Sequence, residues 1–402
     1  TWSWFCFEVA SKVSHASELP LLDVETTLKH LPINELDEVC GAGEVSYYRD
    51  YVKHQSYDSF WRELSIRDSY NHFNMPVLLT GGWYDYYPNE TIENFNGLIS
   101  NALSPELAKS HRMIIGPWTH GFNPSTRLGE IDFGEDALLE NNCTHRWLEC
   151  MLKDGSAGDF QIAPIRIFVM GINKWRDEYE WPLARTEYRN YYLHSNGILS
   201  PDLPSENDEP DKYIYNPEDP VPTLGGNHSV GPYNPGLYEL AKPGPYDQRQ
   251  IEKRDDVLVF TSDILEVDTE VTGPIKAVLY ISSSALDTDF VTRLTDVYPD
   301  GRSINITEGV LRCRFRENVF GDPVLMKPGK IYEVIIELQA TSNVFLTGHC
   351  IRLQITSSNF PLWDRNLNNG EDPGISTKIC IAEQTVYHDS LYASRIILPV
   401  IP

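Results

Sequence analysis

Two ionisable side chains stand where proton-transfer chemistry would need them. Met75-Pro-Val-Leu-Leu-Thr-Gly-Gly-Trp-Tyr-Asp85 and Arg112-Met-Ile-Ile-Gly-Pro-Trp-Thr-His120 each run from aliphatic residues through glycine and an aromatic to one titratable group. A carboxylate beside an imidazole fixes which ring nitrogen carries the proton. The other nitrogen is then free to take a proton from a hydroxyl nucleophile. In chain order, Asp85 and His120 match the second and third members of a Ser…Asp…His arrangement. No serine in the 402 residues lies in a G-x-S-x-G pattern. The first member is therefore expected ahead of Thr1, and the chain reads as one whose front end is absent.

The elements around the pair have to bring it together. Residues 75–155 alternate between apolar runs (75–80 and 112–115) and helical stretches (Thr91 to Leu107 and Leu138 to Leu152), the pattern of a parallel α/β sheet. Within the last stretch, Leu139, Cys143, Trp147 and Met151 recur every fourth residue, with Leu148 and Leu152 widening the stripe. Reactive groups in open α/β sheets gather beyond the carboxyl ends of the strands. Strands lie about 4.8 Å apart, so Asp85 and His120 can meet there. His111 precedes the strand that His120 follows, which places it as much as ~30 Å away at the opposite edge. A hydrogen-bonded loop histidine and a turn or N-cap aspartate fit the same residues equally well.

The rest of the chain divides in two. Residues 1–70 read as amphipathic helices without a strand, for example Glu18 to Leu31 and Tyr51 to Leu64. From Ile165 come short strand-like runs: Ile165 to Met170, Val257 to Thr261, Ile275 to Ile281, Val291 to Val297, Ile304 to Phe315, Ile331 to Leu338 and Ile351 to Ser357. Turns such as Pro299-Asp-Gly301 separate them, as in an all-β sandwich or jelly roll. Residues 196–250, rich in Pro, Gly and Asn, read as a long surface excursion. The expected fold class is α/β plus all-β.

Composition narrows the partners. Acidic residues outnumber basic ones 58 to 33, a formal charge of −25, which disfavours nucleic acid and anionic membranes. No run reaches the 18 or more apolar residues of a membrane span. The opening Thr1-Trp-Ser-Trp-Phe-Cys-Phe lacks the basic start of a signal peptide. Seven cysteines without a C-x-x-C, and histidines without H-x-x-x-H spacing, argue against a disulfide framework and a metal site. Sequons at Asn89, Asn142, Asn227 and Asn305 occur at chance frequency and support no glycosylation.

Several motifs carry a family resemblance. Gly82-Trp-Tyr-Asp85, Gly116-Pro-Trp-Thr-His120, Phe168-Val-Met-Gly-Ile-Asn-Lys-Trp-Arg-Asp177, Asp287-Thr-Asp-Phe290 with Asp296-Val-Tyr-Pro-Asp-Gly301, and Ser358-Asn-Phe-Pro361 with Asp364-Arg-Asn366 resemble the X-Pro dipeptidyl-peptidase/cocaine esterase (CocE/NonD) group of α/β-hydrolases. The resemblance runs from about residue 70 to the C-terminus. It implies a remnant of a helical cap over 1–70, the C-terminal part of an α/β-hydrolase domain over 71–158 and a jelly-roll β-sandwich over 159–402. It places the catalytic acid on Asp85, the base on His120, and substrate-side aromatics on Tyr87 and Phe345. The nucleophilic serine and the oxyanion tyrosine fall upstream of Thr1. The implied substrate is a small ester, amide or peptide, cleaved through an acyl-enzyme without metal or cofactor. A competing reading is a jelly-roll binding module on a degenerate hydrolase, with Trp175, Trp181 and Trp363 stacking on sugars.

Overall fold

In the computed structural model, residues 24–39, 43–120, 125–138, 143–154, 160, 162–228 and 242–402 are described. Strand β1 (Leu78–Gly82) and strand β2 (Arg112–Gly116) are the two apolar runs that carry the ionisable groups. They pair in parallel with Gly82 opposite Gly116, so both end at one level. Every residue of β2 is buried, as expected of a parallel strand covered on both faces. The crossover is the helix Pro88–Ser100, which opens on proline at its first turn and buries Ile92, Phe95 and Leu98. Ser104 then caps the helix Pro105–Ser110 through the Leu107 amide.

Two small strands, β3 (Arg127–Leu128) and β4 (Ile131–Asp132), follow as a hairpin. Strand β5 (Ile165–Val169) next joins β2 in parallel, and β6 (Lys174–Glu178) pairs with β5 antiparallel, giving the order β1-β2-β5-β6. This differs from the sequence reading, which began the β-sandwich ahead of Ile165. Short buried apolar strands look alike in either setting, and only the partner strand distinguishes them.

Helical segments differ in detail from expectation. The stretch from Tyr51 to Leu64 is two helices, Ser46–Lys53 and Ser59–Leu64. The second starts where the Asp58 side chain accepts from the Phe60 amide, an N-cap that forces a break. Of Glu18 to Leu31, only Val24–Leu28 falls among the described helical residues. Over Leu138 to Leu152, the described helix is Cys143–Glu149, followed by a wider turn at Cys150–Asp154. Cys143 and Trp147 are buried, whereas Leu148 and Leu152 are exposed, so the stripe is narrower than the spacing implied.

The remainder builds one large, mostly antiparallel sheet: β7 (Glu187–His194), β8 (Ile198–Ser200), β9 (Asp211–Tyr215), β10 (Leu258–Thr261), β11 (Thr269–Ser283), β12 (Asp289–Val297), β13 (Ser303–Arg312), β14 (Tyr332–Phe345), β15 (Cys350–Thr356), β16 (Ala382–Tyr387) and β17 (Arg395–Ile401). Its order is β13-β12-β15-β10-β8-β7-β17-β11-β16-β9, with β14 on β11. The expected surface excursion over 196–250 includes β8 and β9; residues 229–241 within it lie outside the described set. The two sheets share one apolar core, from Met113, Ile167 and Phe168 to Phe290, Leu338 and Leu353. They also join directly, as Met170 donates to Ser342 and accepts from the Val344 amide, both at 2.9 Å.

The acidic and basic residues of the later motifs turn inward. Asp287 accepts from Arg314 Nε at 2.7 Å and from Asn366 Nδ2 at 2.9 Å. Asp289 pairs with Arg312 at 2.9 Å, and burial pushes its carboxyl up against the pull of that guanidinium. Removing one partner of a buried pair strands the other charge and costs about 3–5 kcal/mol, whereas replacing both costs far less. Arg314→Met should therefore lower the unfolding free energy measured by urea denaturation by an amount in that range, and adding Asp287→Asn should restore much of it.

Candidate active site

Glycine makes the close approach at this site possible. A Cβ on Gly82 would lie 2.0 Å from the Trp118 carbonyl oxygen, and one on Gly116 would lie 2.4 Å from the Trp118 ring. With glycine at both strand ends, the two following loops hydrogen-bond to each other. The Trp83 amide donates to Gly116 O at 2.8 Å and the Tyr84 amide to Trp118 O at 2.9 Å. Trp118 is anchored in turn through Nε1 to Ala137 O at 2.8 Å.

These bonds deliver the two ionisable side chains to one place. His120 Nδ1 lies 3.1 Å from Asp85 Oδ1. The same carboxylate oxygen accepts from the Tyr87 amide at 3.2 Å. Asp85 acts only as an acceptor when ionised, so the shared proton sits on Nδ1 and Nε2 is the bare nitrogen of the neutral ring. The Asp85 side chain is 9% exposed and that of His120 is 57% exposed. The acid is held and the imidazole is reachable. The helix beginning at Pro88 starts three residues beyond Asp85, an end that favours negative charge nearby.

Aromatic rings flank the imidazole, Tyr86 at 5.9 Å and Tyr87 at 5.7 Å between centroids. Tyr87 is half exposed, so the structure brings it to the pair with an open face. Phe345, at 0% exposure, is packed into the common core, because it ends a strand whose final residues are all buried. His111 accepts from the Val77 amide at the entry to β1, the opposite end from the pair. Trp175 packs on Phe168 and Trp118, and Trp181 stacks on Trp83.

Sequence reasoning missed the groups that hold the Asp85 loop from the second sheet. Tyr84 donates through its hydroxyl to Asn305 O at 3.1 Å, and burial pushes its phenol far up, so it stays a neutral donor. Asn89 donates to Leu338 O at 3.1 Å and accepts from the Ala340 amide at 2.7 Å. The sequon reading singled out Asn89 and Asn305 for another reason, and nothing local in sequence reveals these bonds.

Comparison with known proteins identifies the family. Residues 160–397 match the X-Pro dipeptidyl-peptidase C-terminal non-catalytic domain, and residues 14–122 match X-Pro dipeptidyl-peptidase (S15 family). The chain belongs to the X-Pro dipeptidyl-peptidase family. It is 38% identical over 368 residues to the cocaine esterase of Rhodococcus sp. (strain MB1 Bresler), a match covering 87% of this chain and 60% of that protein. The chain thus spans about 60% of that relative's length. Among solved structures, an aminopeptidase from a marine-sediment Thaumarchaeota archaeon matches at TM-score 0.82 and 25% identity, over 94% of this chain and 64% of that one. An α-amino acid ester hydrolase shares the fold at TM-score 0.78 and 23% identity, over 91% of this chain and 62% of that one.

Behind the Asp85 loop, a cavity of about 310 Å³ is walled by Tyr84, Met170, Asn173, Asp296, Tyr298 and Asn343. Burial pushes the Asp296 carboxyl from 3.8 to about 6, although His349 Nδ1, 2.8 Å away, opposes the shift. A carboxyl whose pKa rises on folding binds more protons in the folded state between those two values. Its contribution to stability therefore declines as pH rises from about 4 to about 6, and the penalty is complete above that. Stability of the wild type relative to Asp296→Asn should accordingly fall across this window and level off above it. Denaturant unfolding of both proteins at a series of pH values measures this; a flat difference contradicts it.

Proposed function

We propose that this chain carries the acid and the base of a serine hydrolase, Asp85 and His120, acting on an ester or amide through an acyl-enzyme. The observation that carries the reading is the 3.1 Å bond between His120 Nδ1 and a buried Asp85 carboxylate, which leaves Nε2 on an exposed ring. The family membership and the likeness to a cocaine esterase support it. His120 Nε2 takes the proton from a serine hydroxyl as that oxygen attacks the carbonyl carbon. The proton then passes to the departing alcohol or amine. Water, activated by the same nitrogen, hydrolyses the acyl-serine. Asp85 holds the tautomer throughout and stabilises the transient imidazolium.

The nucleophile on this reading belongs to polypeptide outside residues 1–402, since no serine within them lies in a G-x-S-x-G elbow. Residues 1–402 alone would not form an acyl-enzyme. The helices before residue 65 would belong to a helical cap, and the large sheet to a jelly roll closing over the pair. Tyr87, half exposed against the imidazole, would line the acyl pocket. The cocaine esterase and aminopeptidase relatives make esters and peptides with a free amine the substrates to try first.

In a protein that joins these residues to a serine elbow, His120→Ala and Asp85→Ala should each lower kcat for a p-nitrophenyl ester by about 10³–10⁴-fold. Turnover undiminished by either change overturns the assignment. Residues 1–402 by themselves should show no turnover above buffer in the same assay.

A further inference from the structure

The family's C-terminal domain is described as non-catalytic, yet its side chains grip the peptide bonds on both sides of Asp85. Asn227 Nδ2 donates to the Trp83 carbonyl at 2.5 Å. Gln339 Nε2, on β14, donates to the Tyr86 carbonyl at 3.2 Å, while its Oε1 accepts from the Asn89 amide at 3.2 Å. Of the four sequon asparagines, Asn227 donates to Trp83 O, Asn305 O accepts from the Tyr84 hydroxyl, and Asn89 donates out to Leu338 O; Asn142 lies outside the described residues.

Asn227 is itself fixed from beneath. It is 5% exposed, and its amide donates to Glu308 Oε1 at 3.3 Å. Glu308 is 1% exposed, paired with the equally buried Arg293 at 2.9 Å, and also accepts from Asn359 Nδ2 at 3.0 Å. Arg293 continues to Gln248 Oε1 and Gln354 Oε1, both at 3.1 Å. Gly226 lets the chain pass here: a Cβ on it would lie 2.1 Å from Glu308 Oε1, and its φ is +107°. The network is anchored by the buried Arg293–Glu308 pair, and it ends on the carbonyl two residues before the acid.

We propose that Asn227 and Gln339 are positioning residues for Asp85, transmitting the fixed geometry of the Arg293–Glu308 network and of β14 to the acid's loop, so that the carboxylate stays on His120 Nδ1. This rests on the reading of Asp85 and His120 as acid and base. Neither residue touches His120 in the hydrogen-bond pattern; each acts through a peptide carbonyl flanking Asp85. The Asp85–His120 bond is one contact to an exposed imidazole, and a single hydrogen bond contributes too little net stability to hold a loop in one geometry. The rigidity has to come from the backbone beneath it.

The test uses the full-length gene product labelled with [ring-¹⁵N]histidine, comparing the wild type with Asn227→Ala, Gln339→Ala and Asp85→Ala. Ring nitrogen shifts report which tautomer His120 adopts. The wild type should show protonated Nδ1 and bare Nε2, and Asp85→Ala should lose that preference. Asn227→Ala and Gln339→Ala should move His120 part of the way toward the Asp85→Ala signature, with the buried His349 signals unchanged. With an ester substrate, kcat should fall about tenfold to a hundredfold with KM within twofold. A folded Asn227→Ala protein whose His120 tautomer matches the wild type overturns the proposal. If Asn227→Ala does not fold, an unchanged tautomer in Gln339→Ala overturns it equally. Ester turnover indifferent to Asp85→Ala and His120→Ala would instead remove the hydrolase reading and leave the tautomer result to stand or fall separately.

Discussion

The site depends on one close approach, that of the Gly82 backbone to the Trp118 carbonyl. No other residue type has room there, because a Cβ would sit 2.0 Å from the oxygen and 2.5 Å from its carbon. Once the two backbones are this near, the Trp83 amide finds its acceptor on Gly116, the last residue of β2, and the Tyr84 amide on Trp118 in the loop that follows. Asp85 and His120 then face each other as a consequence. Their own hydrogen bond could not do this alone, since a single bond contributes about 1–3 kcal/mol against the ordering of two loops. Geometry is set by backbone bonds and by the absence of a side chain, and the chemistry inherits it.

The second sheet finishes what the first begins. Apolar contacts across the junction, such as Trp83 on Trp181 at 6.1 Å and the shared core around Phe168 and Leu338, supply the drive to associate but little direction. Direction comes from hydrogen bonds at defined points: Trp83 O, Tyr84 Oη, Tyr86 O and both ends of the Asn89 amide. Each satisfies a polar group that burial would otherwise penalise. A slide of one sheet against the other would break several of them together, so the junction has one register.

What was legible in the sequence was local. Asp85 and His120 stood out because an apolar run, a glycine, an aromatic and an ionisable group fall within a dozen residues, and the intervening helix announced a crossover. The narrower helix stripe was not legible: Leu148 and Leu152 keep the spacing of a buried face but are exposed, since periodicity shows which face is apolar, not whether anything covers it. Strand β5 read as part of the later sheet because short apolar runs do not name their partners. Phe345 followed from resemblance alone, and its burial in the core depends on β14 turning its last residues inward. Gln339 was invisible because its partner lies 253 positions away. Asn89, Asn227 and Asn305 were noticed, but as sequons, a pattern blind to burial and to a partner 144 positions away.

The asymmetry within the pair is what the surrounding construction makes possible. Asp85 is buried and doubly bonded, by His120 Nδ1 and the Tyr87 amide, while His120 keeps most of its ring open. Reversed, with the imidazole buried and the carboxylate exposed, the ring could not meet a hydroxyl and the acid would be free to rotate. A base needs access and its orienting acid needs constraint. Access costs nothing to build at the end of a loop. Constraint requires neighbours, and on the proposed reading they include Asn227 and Gln339, which donate to the Trp83 and Tyr86 carbonyls. The residues that bond to the Asp85 loop thus extend beyond the sheet that carries it.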